Sequence, residues 1–92
     1  PYAIGIQLSV DGRTLQDGST STMLFRIAEL ISYISKQMPL EPGDIIATGT
    51  PAGLAMVHTP TAWLEPGQTV RVELEGLGIL NNPIKQGVPF FE

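Results

Sequence analysis

Ala3-Ile4-Gly5-Ile6-Gln7-Leu8-Ser9-Val10-Asp11-Gly12 is the stretch from which the fold class is read. Ile4, Ile6, Leu8 and Val10 take one side of a period-two alternation, and Gly5, Gln7 and Ser9 take the other. That is the pattern of a strand with one buried face. Asp11-Gly12 favours a two-residue hairpin turn, because both central positions of a type I′ turn need positive φ. Arg13-Thr14-Leu15-Gln16 then returns as a short second strand, and Asp17-Gly18-Ser19-Thr20 reads as loop. Ser21 or Thr22 is placed to cap a helix.

From Met23 to Met38 the period changes. Ile27, Ile31, Ile34 and Met38 recur at helical steps, while Leu24, Ala28 and Leu30 widen the apolar face. Pro39 ends this helix, since proline disfavours the α conformation in the residue before it. Leu40-Glu41-Pro42-Gly43-Asp44 and Leu64-Glu65-Pro66-Gly67-Gln68 echo one another. Pro then Gly suits the centre of a type II turn, so the echo reads as shared turn chemistry. Each turn launches an apolar run, Ile45 to Thr48 and Val70 to Leu74. Val70, Val72 and Leu74 alternate with Arg71, Glu73 and Glu75, giving a strand with one wet face. Gly76-Leu77-Gly78 breaks that strand, Ile79-Leu80 resumes it briefly, and Lys85 to Glu92 reads as irregular. The class is α+β, mostly β, with one long helix.

The chain has 92 residues, one small domain at most, with nine acidic and five basic residues and a formal net charge of -4. The scattered basic residues argue against nucleic acid as a partner, because neutralising phosphates needs clustered Lys and Arg. No apolar run approaches the ~20 residues of a membrane span. Without cysteine there is no disulfide, thiolate metal site or Cys nucleophile. Charged residues make up 15% of the chain, below the ~25% usual for soluble domains. Part of the surface is therefore expected to meet a partner subunit or the rest of a longer chain. The opening Pro1, in place of Met, is read as not being a native start.

Ala47-Thr48-Gly49-Thr50-Pro51-Ala52-Gly53 is the sharpest candidate for chemistry. Its hydroxyls and backbone N–H groups can hold a carboxylate or carbonyl oxygen; the alternative is an ordinary glycine-rich turn. It is not a phosphate-binding P-loop, because the Lys-Ser/Thr pair never appears. Glu73 and Glu75 have a spacing that suits a divalent cation, yet no third oxygen ligand lies nearby in sequence. His58, the only histidine, reads as a packing or surface residue. Trp63 reads as a core or interface anchor, and Asp44 as either a general base or a turn cap.

Three blocks in order resemble the C-terminal part of the fumarylacetoacetate hydrolase family: Gln16 to Phe25, Leu40 to Gly53, and Leu64-Glu65-Pro66-Gly67 with Val72 to Pro83. The resemblance runs from about Leu8 to Ile84 and rests chiefly on the central block. It departs at Thr22, where the family usually has Asp, and at Leu54-Ala55, where it has Val-Gly. The resemblance implies a mixed β-sheet roll of the fumarylacetoacetase C-terminal type, with the Met23–Met38 helix packed on it through Ile27, Ile31 and Ile34. It implies that residues 1–92 form the C-terminal portion of one catalytic domain in a metal-dependent enzyme. The substrates would be 2-oxo acids or 2-hydroxydienoates, cleaved at an acylpyruvate-type C–C bond, or isomerised or decarboxylated in aromatic catabolism. Mg²⁺ or Mn²⁺ would be chelated by the substrate, with metal ligands and catalytic residues upstream of this chain and none within it. Thr50, with Gly49 and Thr48 beside it, would bind the substrate. A cytoplasmic homodimer is expected, with no nucleic acid or membrane partner. The competing reading is a catalytically silent fragment or interaction domain of the same fold.

Overall fold

The computed structural model describes residues 2–89. Strands β1 (Gly5–Val10), β2 (Arg13–Ser19), β3 (Thr69–Leu74) and β4 (Gly78–Pro83) form one sheet in the order β2-β1-β3-β4. All three pairings are antiparallel, and the sole α-helix among the described residues is α1 (Ile27–Ser35). The mostly β class with one helix stands.

Cross-strand register explains the sheet. Ile6 faces Leu74, Leu8 faces Val72 and Val10 faces Val70, while Leu80 of β4 lies opposite Val72. Cross-strand partners share a face, so the period-two residues of β1 and β3 converge on one apolar side. Val10, at 7% exposure, is the most deeply buried described apolar residue. On the other face Arg71 Nη1 donates to Glu73 Oε2 at 2.9 Å, with both side chains over a third exposed. Such a pair contributes at most about 1 kcal/mol.

The hairpin turn is the expected one, with Asp11 at φ 49° and Gly12 at φ 82°. Asp11 also ties the turn to β3: its Oδ1 accepts from Thr69 N at 2.9 Å, and its N–H donates to the Thr69 carbonyl at 3.0 Å. The two Pro-Gly turns repeat one chemistry. Asp44 Oδ2 accepts from Glu41 N at 2.8 Å, and Gln68 Oε1 accepts from Glu65 N at the same distance.

Several differences from the sequence reading have physical causes. β2 continues through Asp17-Gly18-Ser19 because β1 presents backbone partners along its whole length, and Thr20 extends the pairing by exchanging two bonds with Ile4. Near its middle the register slips, so that Leu8 faces Gln16 and Ser9 faces Thr14, leaving Leu15 as a bulge. α1 starts at Ile27, since Arg26 is extended at ψ 158° and offers no side-chain cap. The hydroxyls expected to cap it are used earlier, where Ser19 caps a 3-10 turn at Thr20–Thr22 and Thr22 Oγ1 donates to the Ser19 carbonyl. No residue of α1 is buried, and Ile31 is 44% exposed; only Ile27, Leu30 and Ile34 are half-buried. Finally, Ile45 to Thr48 forms no strand, because a strand needs partners for its N–H and C=O groups and none of the described strands pairs with it. Residues 85–89 carry no regular element; 90–92 lie outside the described residues.

The fold leaves much apolar surface open. Leu24, Ile45, Leu77, Leu80 and Val88 are each at least 67% exposed. The accessible surface is 7538 Å², against about 5,200 Å² for a compact monomer of this mass. The Cα radius of gyration is 16.4 Å, against about 12 Å for a compact domain of this length.

The glycine-rich loop packs on β2. A Cβ on Gly18 would come within 2.9 Å of Pro51 Cβ, and one on Gly53 would overlap the Leu15 carbonyl oxygen. His58 Nε2 lies 2.9 Å from the Gly53 carbonyl and 3.2 Å from the Leu15 carbonyl. Both partners only accept, so Nε2 carries the hydrogen.

Two stability tests come from this packing. Gly53 (φ 103°) and Gly49 (φ 102°) share a backbone conformation, but only Gly53 is crowded. Alanine costs about 1–3 kcal/mol at either position through strain, so Gly53→Ala should lower the melting temperature clearly further. An equal loss would remove the close contact with Leu15. Asp11→Ala should cost about 1–2 kcal/mol in urea unfolding, whereas Asp11→Asn, which keeps an acceptor oxygen and tolerates positive φ, should stay near the parent.

Candidate functional site

A cleft of about 300 Å³ opens between the segment joining β2 to α1 and the loop from Thr48 to Pro51. One wall carries the hydroxyl residues Thr20 and Thr22, the other Thr48 and Thr50, with Phe25 and Leu30 supplying apolar lining. The fold thus brings the three residues singled out in sequence, Thr48, Gly49 and Thr50, to one concave site.

The hydroxyls differ in what they are free to do. Thr20 Oγ1 accepts from Ile4 N at 2.8 Å, and Thr22 Oγ1 donates to the Ser19 carbonyl at 2.9 Å. Thr22 has thus spent its hydrogen on the backbone that forms the wall, whereas Thr20 is tied to that backbone as an acceptor and keeps its own hydrogen. Thr50 Oγ1 instead accepts from Gln16 Nε2 at 2.9 Å, and the same amide nitrogen donates to the Pro51 carbonyl at 2.8 Å.

The other candidates take structural roles. Glu73 pairs with Arg71, and Glu75 Oε2 accepts from Gly5 N at 3.2 Å. Asp44 caps its own turn. His58 is half-buried and holds the loop to β2, while Trp63 is 62% exposed. Among the described residues no three His, Cys, Asp or Glu side chains gather where they could hold a metal ion. This donor set does not fit a resident divalent cation. Gln16 is the site-building residue that sequence reasoning missed, since its partners lie 34 and 35 positions away; His58 was read as a packing or surface residue, and it packs the loop to β2. Among the described residues no helix is long and apolar enough to cross a membrane.

Comparison with known proteins places these features in a family. The family profile described as fumarylacetoacetate (FAA) hydrolase C-terminal matches residues 1–85. A putative hydrolase from Burkholderia cenocepacia is 47% identical over 79 residues, which is 85% of this chain and 28% of that protein. Fumarylacetoacetate hydrolase from the psychrophile Exiguobacterium antarcticum superposes with a TM-score of 0.88 at 39% identity, over 92% of this chain and 31% of its own. Fumarylpyruvate hydrolase from Pseudomonas aeruginosa, solved in complex with Mn²⁺ and pyruvate, superposes with a TM-score of 0.82 at 31% identity, over 95% and 34%. The chain therefore spans under a third of the length of the curated relative it matches, and with its sheet, helix and threonine-lined cleft it belongs to the fumarylacetoacetate hydrolase family.

Proposed function

We propose that this chain is the C-terminal portion of a divalent-metal-dependent enzyme that cleaves an acylpyruvate-type C–C bond in a 2-oxo acid. The observation that carries the reading is the Thr48-Gly49-Thr50 loop, which presents a hydroxyl at a cleft that combines threonines with apolar lining. Support comes from a similar hydrolase that was solved with Mn²⁺ and pyruvate. Thr50 donates its hydroxyl hydrogen to an oxygen of the 2-oxo acid, and the backbone N–H groups near Gly49 add further donors. Mg²⁺ or Mn²⁺ is held by residues outside this chain. In this reading the surface excess, roughly 2,300 Å² beyond a compact monomer of this mass, is covered by the remainder of the catalytic domain and by a second subunit of a cytoplasmic homodimer.

Thr50→Val in the full-length protein keeps the side-chain shape and removes the hydroxyl. Losing one hydrogen bond to a charged group costs about 1.5–3 kcal/mol, so binding or turnover should fall about 10- to 150-fold. Thr48→Val should cost less, with both proteins melting near the parent. Equal activity of Thr50→Val and parent would take Thr50 out of the site. A larger loss in Thr48→Val would move the contact two residues upstream. Product analysis with an acylpyruvate and Mg²⁺ separates cleavage from isomerisation or decarboxylation, and absence of any turnover by the full-length protein favours a silent interaction domain.

A further inference from the structure

We infer that Gln16 is a positioning residue that makes the Thr50 hydroxyl a directed donor into the cleft, and so selects ligands presenting an acceptor-only oxygen such as a carboxylate or keto group. The inference rests on the reading of Thr50 as a ligand contact. Its own support is the pair of bonds from one amide nitrogen, 2.9 Å to Thr50 Oγ1 and 2.8 Å to the Pro51 carbonyl. A carbonyl accepts and never donates. Turning the Gln16 amide over would set its oxygen against the Pro51 oxygen, so Pro51 fixes the nitrogen on this side. Each of the two amide hydrogens then has one acceptor. The Thr50 oxygen, receiving one of them, keeps its own hydrogen for a third party, and Thr50 lines the cleft.

Gln16 is held in turn by the sheet. It lies half-buried on β2 opposite Leu8, directly after the Leu15 bulge. Bulges re-aim side chains. Without the extra residue, Leu15 would face Leu8 and Gln16 would fall on the opposite side. Gly18, two residues on and on the same face, leaves the space that Pro51 fills. The amide therefore reaches Thr50 from a backbone held by its pairing with β1.

A double-mutant cycle on the full-length protein tests this, with Mg²⁺ present and pyruvate as the probe, binding followed by calorimetry. Gln16→Met is nearly isosteric and removes both donors. It should weaken pyruvate by about 3- to 10-fold, the range for one neutral hydrogen bond. In a Thr50→Val background the same substitution should change affinity less than twofold, because its target is already gone. Melting temperatures are measured in all four proteins. Gln16→Asn, which keeps the amide but falls short of both acceptors, serves if the Met variant does not fold, with the same collapse expected. A Gln16 effect of equal size in both backgrounds would make it a general support of the loop and overturn the inference while leaving Thr50 in place. No effect of Gln16→Met in the parent background would overturn it too. If Thr50→Val binds pyruvate as the parent does, or the parent does not bind it, the reading of Thr50 fails and the inference goes with it.

Discussion

The bulge at Leu15 is the constraint on which the cleft depends. A hairpin closed by Asp11-Gly12 would, in regular register, set Leu15 against Leu8 and Gln16 against Gln7. The slip instead sets Gln16 against Leu8 and Gly18 against Ile6. Because the side-chain period of a strand is two, a one-residue insertion changes the face of everything after it. An amide, then a glycine, arrive on the face where the Thr50 to Gly53 loop lies. The amide bonds Thr50 and Pro51, and the glycine makes room for Pro51. Leu15 itself offers its carbonyl to His58. One extra residue thus accompanies four contacts made by β2, three to the loop and one to His58.

The same sheet shows why this segment cannot be understood by its own core. Hydrophobic residues are 42% of the sequence, yet Val10 alone among the described apolar residues is buried. Burial of apolar area is the main favourable term in folding, about 25 cal/mol per Å². A helix with no buried residue gains little of it. The low charge content and the open surface are two views of one property. Residues such as Ile45 and Leu80 find no cover within residues 2–89; in the proposed reading their neighbour is the remainder of the catalytic domain or a second subunit.

Local pattern was legible where local pattern decides. β1, the Asp11-Gly12 turn and β3 follow from period-two alternation and from the φ demands of a type I′ turn. Asp44 took the cap role that its place after Pro42-Gly43 allowed, and Gln68 matched it in the second copy. The failures fall where distant partners decide. Asp17-Gly18-Ser19 has turn composition, but β1 supplies its ladder and it becomes strand. Asn81-Asn82-Pro83 likewise joins β4 because Arg71, Val70 and Thr69 pair with it. Ile45 to Thr48 has strand composition and no described partner, so it stays irregular. At the site, the Thr-Gly-Thr sequence pointed to the loop. Nothing in Arg13 to Gln16 announced that an edge strand would hold it.

This division of labour has a physical basis. A loop that must present backbone N–H groups and a hydroxyl to a ligand benefits from glycine, which lets the backbone approach closely, but glycine also gives the unbound loop many conformations. Order has to be imported. Here it comes from two groups whose geometry is set by the sheet, a carbonyl at the bulge and an amide beside it, and from a histidine that bridges that carbonyl to the loop's far end. The bonds fall at Thr50, Pro51 and Gly53, and Gly49 is left in open space. The supported end of the loop carries the Thr50 hydroxyl, and the open end carries Gly49; in the proposed reading the first is the directed donor and the second leaves a ligand oxygen room to approach.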